Sequence, residues 1–110
     1  MWIYHLALES DWQAARRTGA YTVSTLGRTL EQEGFIHAAH ESQLVGVNDR
    51  FYRDVREPLV KLTIDTDRLT SEVREESVGG ETFPHIYGPL DTAAVIGVMP
   101  WHPSGRERTV

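Results

Sequence analysis

Apolar residues recur along this chain in short alternating or continuous runs, and most fit strands better than helices. Trp2-Ile3-Tyr4-His5-Leu6 predicts a first strand, with His5 on the same face as Ile3. Ser10-Asp11-Trp12-Gln13 has the form of a capping box opening a helix through Arg16, and Gly19 is placed to end it. Trp12 and Ala15 are that helix's predicted core contacts. Tyr21 to Leu30 is mixed and polar, which predicts a short strand and then a mobile loop, and Gly34 opens a strand from Phe35 to Ala39. Between Glu41 and Arg53, Leu44, Val47, Phe51 and Tyr52 recur at helical spacing, with Gly46 weakening the helix.

Pro58 introduces Leu59-Val60-Lys61-Leu62-Thr63-Ile64, the clearest strand of the chain. A turn through Asp65, Asp67 and Leu69 leads to a strand from Glu72 to Glu75. Gly79-Gly80 marks a loop before a short strand from Phe83 to Tyr87. Gly88-Pro89 then turns the chain, Asp91 caps one helical turn, and Val95 to Met99 is the last strand. Residues 1–102 read as one globular domain, and the polar stretch 103–110 as a disordered tail. The pattern predicts an α+β class: five to seven short strands and two helices, which do not alternate regularly enough for a doubly wound fold.

Charge and composition narrow the classes. Sixteen acidic against eleven basic residues leave a formal charge of −5 with no basic stripe, which argues against a nucleic-acid partner. Local cations still allow a small anionic ligand: Arg50, Arg53 and Arg56 form one group and Arg16 and Arg17 another, although both read more readily as solvated helix faces. Cysteine is absent, which excludes disulfides and thiolate chemistry. The longest apolar run, Ala93 to Trp101, is too short to span a bilayer, and no signal-peptide pattern opens the chain. A soluble cytoplasmic protein without membrane partners is the expectation.

The candidate chemistry lies in histidines placed within strands. Strand alternation puts Phe35, His37 and Ala39 on one face, opposite Ile36 and Ala38, and turns His85 with Tyr87 away from Ile86. His5, His37 and His85 together predict a polar cleft, although each alone also fits a hydrogen-bonded core histidine. A metal site using Glu33 or Glu76 is the weaker option, because His37 and His40 would face opposite sides of one strand and no His-Glu-x-x-His helix exists. No metal is expected. Neither a nucleophile elbow nor a phosphate-binding glycine loop is present. Glu75 and Glu76 are adjacent, so only one can face a cleft. The remaining option is a nucleotide site in which Tyr87 stacks, a histidine donates to a ribose hydroxyl, an arginine meets phosphate, and Glu76 or Glu33 serves as carboxylate.

Ile3-Tyr4-His5-Leu6, Trp12 with Ala15, Glu33-Gly34-Phe35-Ile36-His37, Leu62 to Asp65 and Phe83-Pro84-His85-Ile86-Tyr87-Gly88-Pro89-Leu90 together resemble the DUF952 family. The likeness spans residues 2 to 100 of this chain. It implies an ADP-ribosyltransferase-like fold of short strands in a split or two-sheet core. The order His37, Arg50 and the strand ending at Asp65 resembles RNA 2′-phosphotransferases, and the first-strand Tyr-His pair resembles toxin-type ADP-ribosyltransferases. By that resemblance NAD is the substrate, His5 contacts a ribose, and Tyr87 or Tyr21 stacks on nicotinamide. His37 and Glu76 would be catalytic, with His5, Arg50, His85 and Tyr87 binding the ligand. The activity implied is an NAD-using transferase or glycohydrolase. The alternative is a binding module for a nucleotide or small anion in the same cleft, and a metal-dependent hydrolase is the third option.

Overall fold

The first strand, β1 (Trp2–Leu8), runs without a break into α1 (Glu9–Thr18). The Ser10 capping box does not form: the helix starts at Glu9, whose N–H donates to the Pro58 carbonyl at 2.9 Å. A neighbouring backbone thus satisfies an exposed helix-start donor that a cap would otherwise take. Gly19 ends the helix with φ +89°, its N–H returning to the Ala15 carbonyl at 2.8 Å. Trp12 and Ala15 are buried, as their spacing predicts. This computed structural model describes residues 1–102 and 106–107.

Short pieces follow: β2 (Ala20–Tyr21), β3 (Val23–Thr25), β4 (Arg28–Thr29), the single-turn helix α2 (Leu30–Glu33) and β5 (Ile36–His37). The predicted loop before Leu30 is therefore a β3–β4 hairpin, and a helix stands where none was expected. Thr29 and Gln32 form a reciprocal capping box on α2, and Gly34 closes it in the left-handed region at φ +86° instead of opening a strand.

The predicted helix from Glu41 to Arg53 is one irregular segment. A 3-10 turn (Glu41–Gln43) leads into α3 (Leu44–Val47) and then a π turn (Asn48–Tyr52). Both ends of the π turn are tied inward: the Trp101 indole N–H donates to Asn48 Oδ1 at 3.0 Å, and the Tyr52 hydroxyl donates to the Leu6 carbonyl at 3.1 Å. The extra residue in that turn swings Arg50 and Phe51 outward.

The chain then forms β6 (Leu59–Asp65), a 3-10 turn (Thr66–Arg68), β7 (Glu72–Val78) and β8 (Glu81–Tyr87). After β9 (Leu90–Asp91) comes a 3-10 turn (Thr92–Ala94), then β10 (Val95–His102) and β11 (Arg106–Glu107). Asp91 does not cap its turn; its carboxylate accepts from the Thr70 N–H and hydroxyl at 3.0 and 2.8 Å. Of the predicted tail, 103–105 and 108–110 lie outside the described residues, while Arg106 and Glu107 pair with the end of β10.

Four strands form one antiparallel sheet in the order β1-β6-β10-β11, and β5-β8-β7 form a second; β2-β9 and β3-β4 are two-stranded. The architecture is α+β with few helices. Gly79 and Gly80, at φ +58° and +87°, make the primed turn that a tight β7–β8 hairpin requires. β1 is buried on both faces: Ile3 and Ala7 pack with Ile36, Leu62 and Ile86 on one side, while Tyr4 and Leu6 pack with Leu44, Leu59 and Phe83 on the other. A strand covered on both faces reads as a nearly continuous apolar run, which is how β1 and β6 appear in the sequence.

Candidate functional site

The segment from Phe35 to Ala39 crosses from one sheet to the other. Ile36 and His37 pair with Ile86 and His85 of β8, and the Ala38 N–H donates to the Pro84 carbonyl at 3.1 Å. One residue later, Ala39 pairs with Tyr4 of β1. Where the segment changes partner, the two sheets part and leave a cleft of about 150 Å³, roofed by the irregular helical segment. Its walls are mainly apolar, with Tyr4, Leu44, Val47, Phe51 and Phe83 prominent; His37, Arg50, Ser42, Gln43 and Glu81 supply polar groups. A small apolar recess with a few converging polar groups is the usual form of a small-molecule site.

His37 sits at the seam, its side chain 35 % exposed and its Nε2 3.5 Å from Glu33 Oε1. Burial, reinforced by the nearby His85, holds its pKa below the ordinary histidine value, against the opposing pull of Glu33. Glu33 is itself held by Arg28, whose guanidinium donates to Oε2 at 2.7 and 3.1 Å. That bond is the main reason the Glu33 carboxyl lies below its usual range.

A second cluster lies on the outer face of the β5-β8-β7 sheet. His85 Nδ1–H donates to Glu76 Oε1 at 2.8 Å, and the Tyr87 hydroxyl donates to the same oxygen. These bonds, Tyr87's first, hold the Glu76 carboxyl below its usual range, and the same contact raises the Tyr87 phenol. Phe35 stacks on His85 with centroids 4.1 Å apart and planes 18° apart, while the His37 ring meets His85 edge-on at 5.0 Å. His85 Nε2 is buried without a hydrogen-bond partner among the described residues. Arg74 covers the Tyr87 ring at 4.4 Å and pairs with Glu72.

The six sequence-predicted residues thus fall into two neighbouring groups. His5, His37 and Arg50 border the cleft. His85, Tyr87 and Glu76 form the adjoining cluster; the His37 ring lines the cleft and meets His85 edge-on, and Phe35 contacts both His37 and His85. Glu75 diverges from Glu76 as alternation requires, and pairs with His40 at 2.9 Å. Tyr21 is buried and donates to His5 Nε2 at 2.9 Å. Arg53 and Arg56 are exposed and absent from the cleft wall. Sequence reasoning missed Phe35 as the plate over His85, and Phe51 and Phe83 as cleft walls; alternation already placed Phe35 beside His37, which was the available signal. Among the described residues, no group of three or more His, Asp or Glu side chains converges closely enough to hold a metal ion. No helix there is long and apolar enough to cross a membrane.

No curated protein matches this sequence. The crystal structure of protein CC0527 from Caulobacter crescentus is similar, with 26 % identity and a TM-score of 0.80 over 98 % of this chain and 94 % of that one. Its solution NMR structure gives 25 % identity and a TM-score of 0.71, covering 94 % and 89 % of the two chains. The family model for DUF952, a protein of unknown function, matches residues 6–98, and the chain belongs to that family.

Proposed function

We propose that this protein binds a small nucleotide-like ligand in the cleft between its two sheets, with one ring inside and a phosphate at Arg50. The observation that carries this reading is the meeting of His37 and Arg50 in a ring-sized recess walled by Tyr4, Phe51 and Phe83. A dry cavity of about 150 Å³ accommodates a benzene-sized molecule. The cleft therefore suits a single pyridine or pyrimidine ring, and NAD enters by one ring with the rest lying outside. Arg50 brings the cation that an anionic ligand needs to this acidic chain. His37, whose pKa burial lowers below the ordinary histidine value, can donate or accept one hydrogen bond from the ring or sugar.

Calorimetric titration with nicotinamide mononucleotide tests this. Binding that is weakened at least about tenfold in both Arg50→Ala and His37→Ala supports the reading, a loss of about 1.4 kcal/mol each. No binding to the wild-type protein at millimolar ligand refutes it.

A catalytic reading has one observation of its own: His37 abuts His85, and His85 is backed by Glu76. In an NAD glycohydrolase or transferase, the bond between ribose and nicotinamide breaks and water or an acceptor hydroxyl adds at that ribose carbon. The acceptor's proton passes to an imidazole. Glu76 stands outside the cleft wall, so its part runs through His85 and His37. Binding without turnover is the simpler account of this geometry.

A further inference from the structure

We propose that His5, held by Tyr21, is the positioning residue of the cleft: it fixes the segment carrying His37 and does not itself bind the ligand. This rests on the ligand-binding reading for its purpose and on separate contacts for its geometry. The His5 ring is buried in the middle of β1. Its Nδ1–H donates to the His37 backbone carbonyl at 2.5 Å, and its Nε2 accepts from the Tyr21 hydroxyl at 2.9 Å. The two rings meet edge to face at 5.2 Å. An imidazole has two polar atoms, and both are engaged inside the protein, so His5 borders the cleft with nothing free to offer a sugar hydroxyl.

What needs holding is the seam. β5 is only two residues long, and within the next two the chain leaves β8 for β1. Such a short strand has few ladder bonds, so a buried side-chain bond onto its carbonyl sets where the His37 ring lies. Tyr21 is in turn fixed because β2 pairs with β9, Tyr21 opposite Leu90. Tyr21 donates to His5, which forces the proton onto Nδ1, and Nδ1 must then donate to His37. The order of the three groups follows from the single tautomer this allows.

Tyr21→Phe removes one hydroxyl and keeps the ring. We compare it with Ile64→Val, a core change on β6 away from the cleft, by following histidine ring signals in long-range ¹H–¹⁵N spectra across pH. Loosening the segment gives His37 more water, so its titration midpoint moves up in Tyr21→Phe and stays in Ile64→Val. An unchanged His37 midpoint in Tyr21→Phe overturns the proposal. The wild-type protein provides a second check that survives a folding failure of the variant: His5 stays the neutral Nδ1–H tautomer at pH 6 and above. Nicotinamide mononucleotide shifts the His37 ring and leaves the His5 ring nitrogens in place; an Nε2–H tautomer, or His5 shifts as large as those of His37, overturns it. If the wild-type protein does not bind that probe, the ligand reading fails, while the His37 midpoint and the His5 tautomer still decide the positioning role.

Discussion

Tyr4 and Ala39 exchange backbone hydrogen bonds in both directions, each 2.8 Å long, and through this pair the segment that left β8 joins β1. Both residues line the cleft. The recess is thus a consequence of topology: a strand segment shared by two sheets has to part them, and the side chains at the parting point face the gap. Lys61, on the strand next to β1, places its ammonium 5.6 Å from the centre of the Tyr4 ring. The chemistry of the site follows from which residues happen to stand at that seam.

Charge at the cleft mouth gives a sign test. Arg50 and Glu81 both line it. For an anionic ligand, Arg50→Ala weakens binding and Glu81→Ala strengthens it; for a cationic ligand the two reverse. Titrating nicotinamide mononucleotide against both variants at low salt, where such effects are least screened, measures the pair.

His5 makes the fold acid-sensitive. Burial pushes its pKa down to about 4, against an ordinary value of 6.5. The unfolded chain takes up the proton first as pH falls, so this contribution is complete above pH 6.5 and is lost progressively toward pH 4. The gap corresponds to roughly 3 kcal/mol at full loss. His37, also lowered, acts with the same sign. Urea unfolding at pH 7.5 and 4.5 therefore shows a clearly larger loss of stability for the wild type than for His5→Asn, which keeps a donor but does not titrate. Equal losses in the two proteins contradict this assignment.

Asn48 anchors the π turn. It is fully buried and accepts from the Trp101 indole. Asn48→Ala strands a buried donor and costs about 1–3 kcal/mol. Tryptophan fluorescence during denaturant unfolding reads this directly, and ligand affinity falls with it because Arg50 and Phe51 ride on the same turn.

Gly88 is tightly constrained. Its φ is +148°, and an added Cβ would stand 2.4 Å from Ser71 Oγ. That hydroxyl is itself committed, donating to the Pro89 carbonyl at 2.7 Å. Gly88→Ala lowers stability by roughly 1–3 kcal/mol through backbone strain alone, and Ser71→Gly in the same chain restores only the part due to the clash. Thermal midpoints of the single and double variants separate the two.

Much of this was legible in residue patterns. Alternation alone separates Phe35 and His37 from Ile36 and Ala38, turns His85 with Tyr87, and sends Glu75 and Glu76 opposite ways, because a strand allows no other arrangement. The Gly19 cap and the strand after Pro58 are equally local. The failures come from contacts between distant parts of the chain. Ser10 loses its capping role to the carbonyl of Pro58, just before β6. Phe51 keeps helical spacing, but the π turn inserts a residue and rotates it outward. His5 reads as a ligand contact until its two partners, 16 and 32 residues away, are seen to use both its nitrogens.

The most direct test of the central claim is an NMR titration of the wild-type protein with NAD, following histidine ring signals and free nicotinamide over hours. Shifts at His37 and at cleft residues such as Phe51 and Leu44, with His5 unmoved and no nicotinamide released, are the predicted result. Nicotinamide release with the same shifts would make the protein an enzyme and bring Glu76 into the reaction. No shift at His37 at millimolar NAD would contradict the account, and the cleft would then not be a nucleotide site.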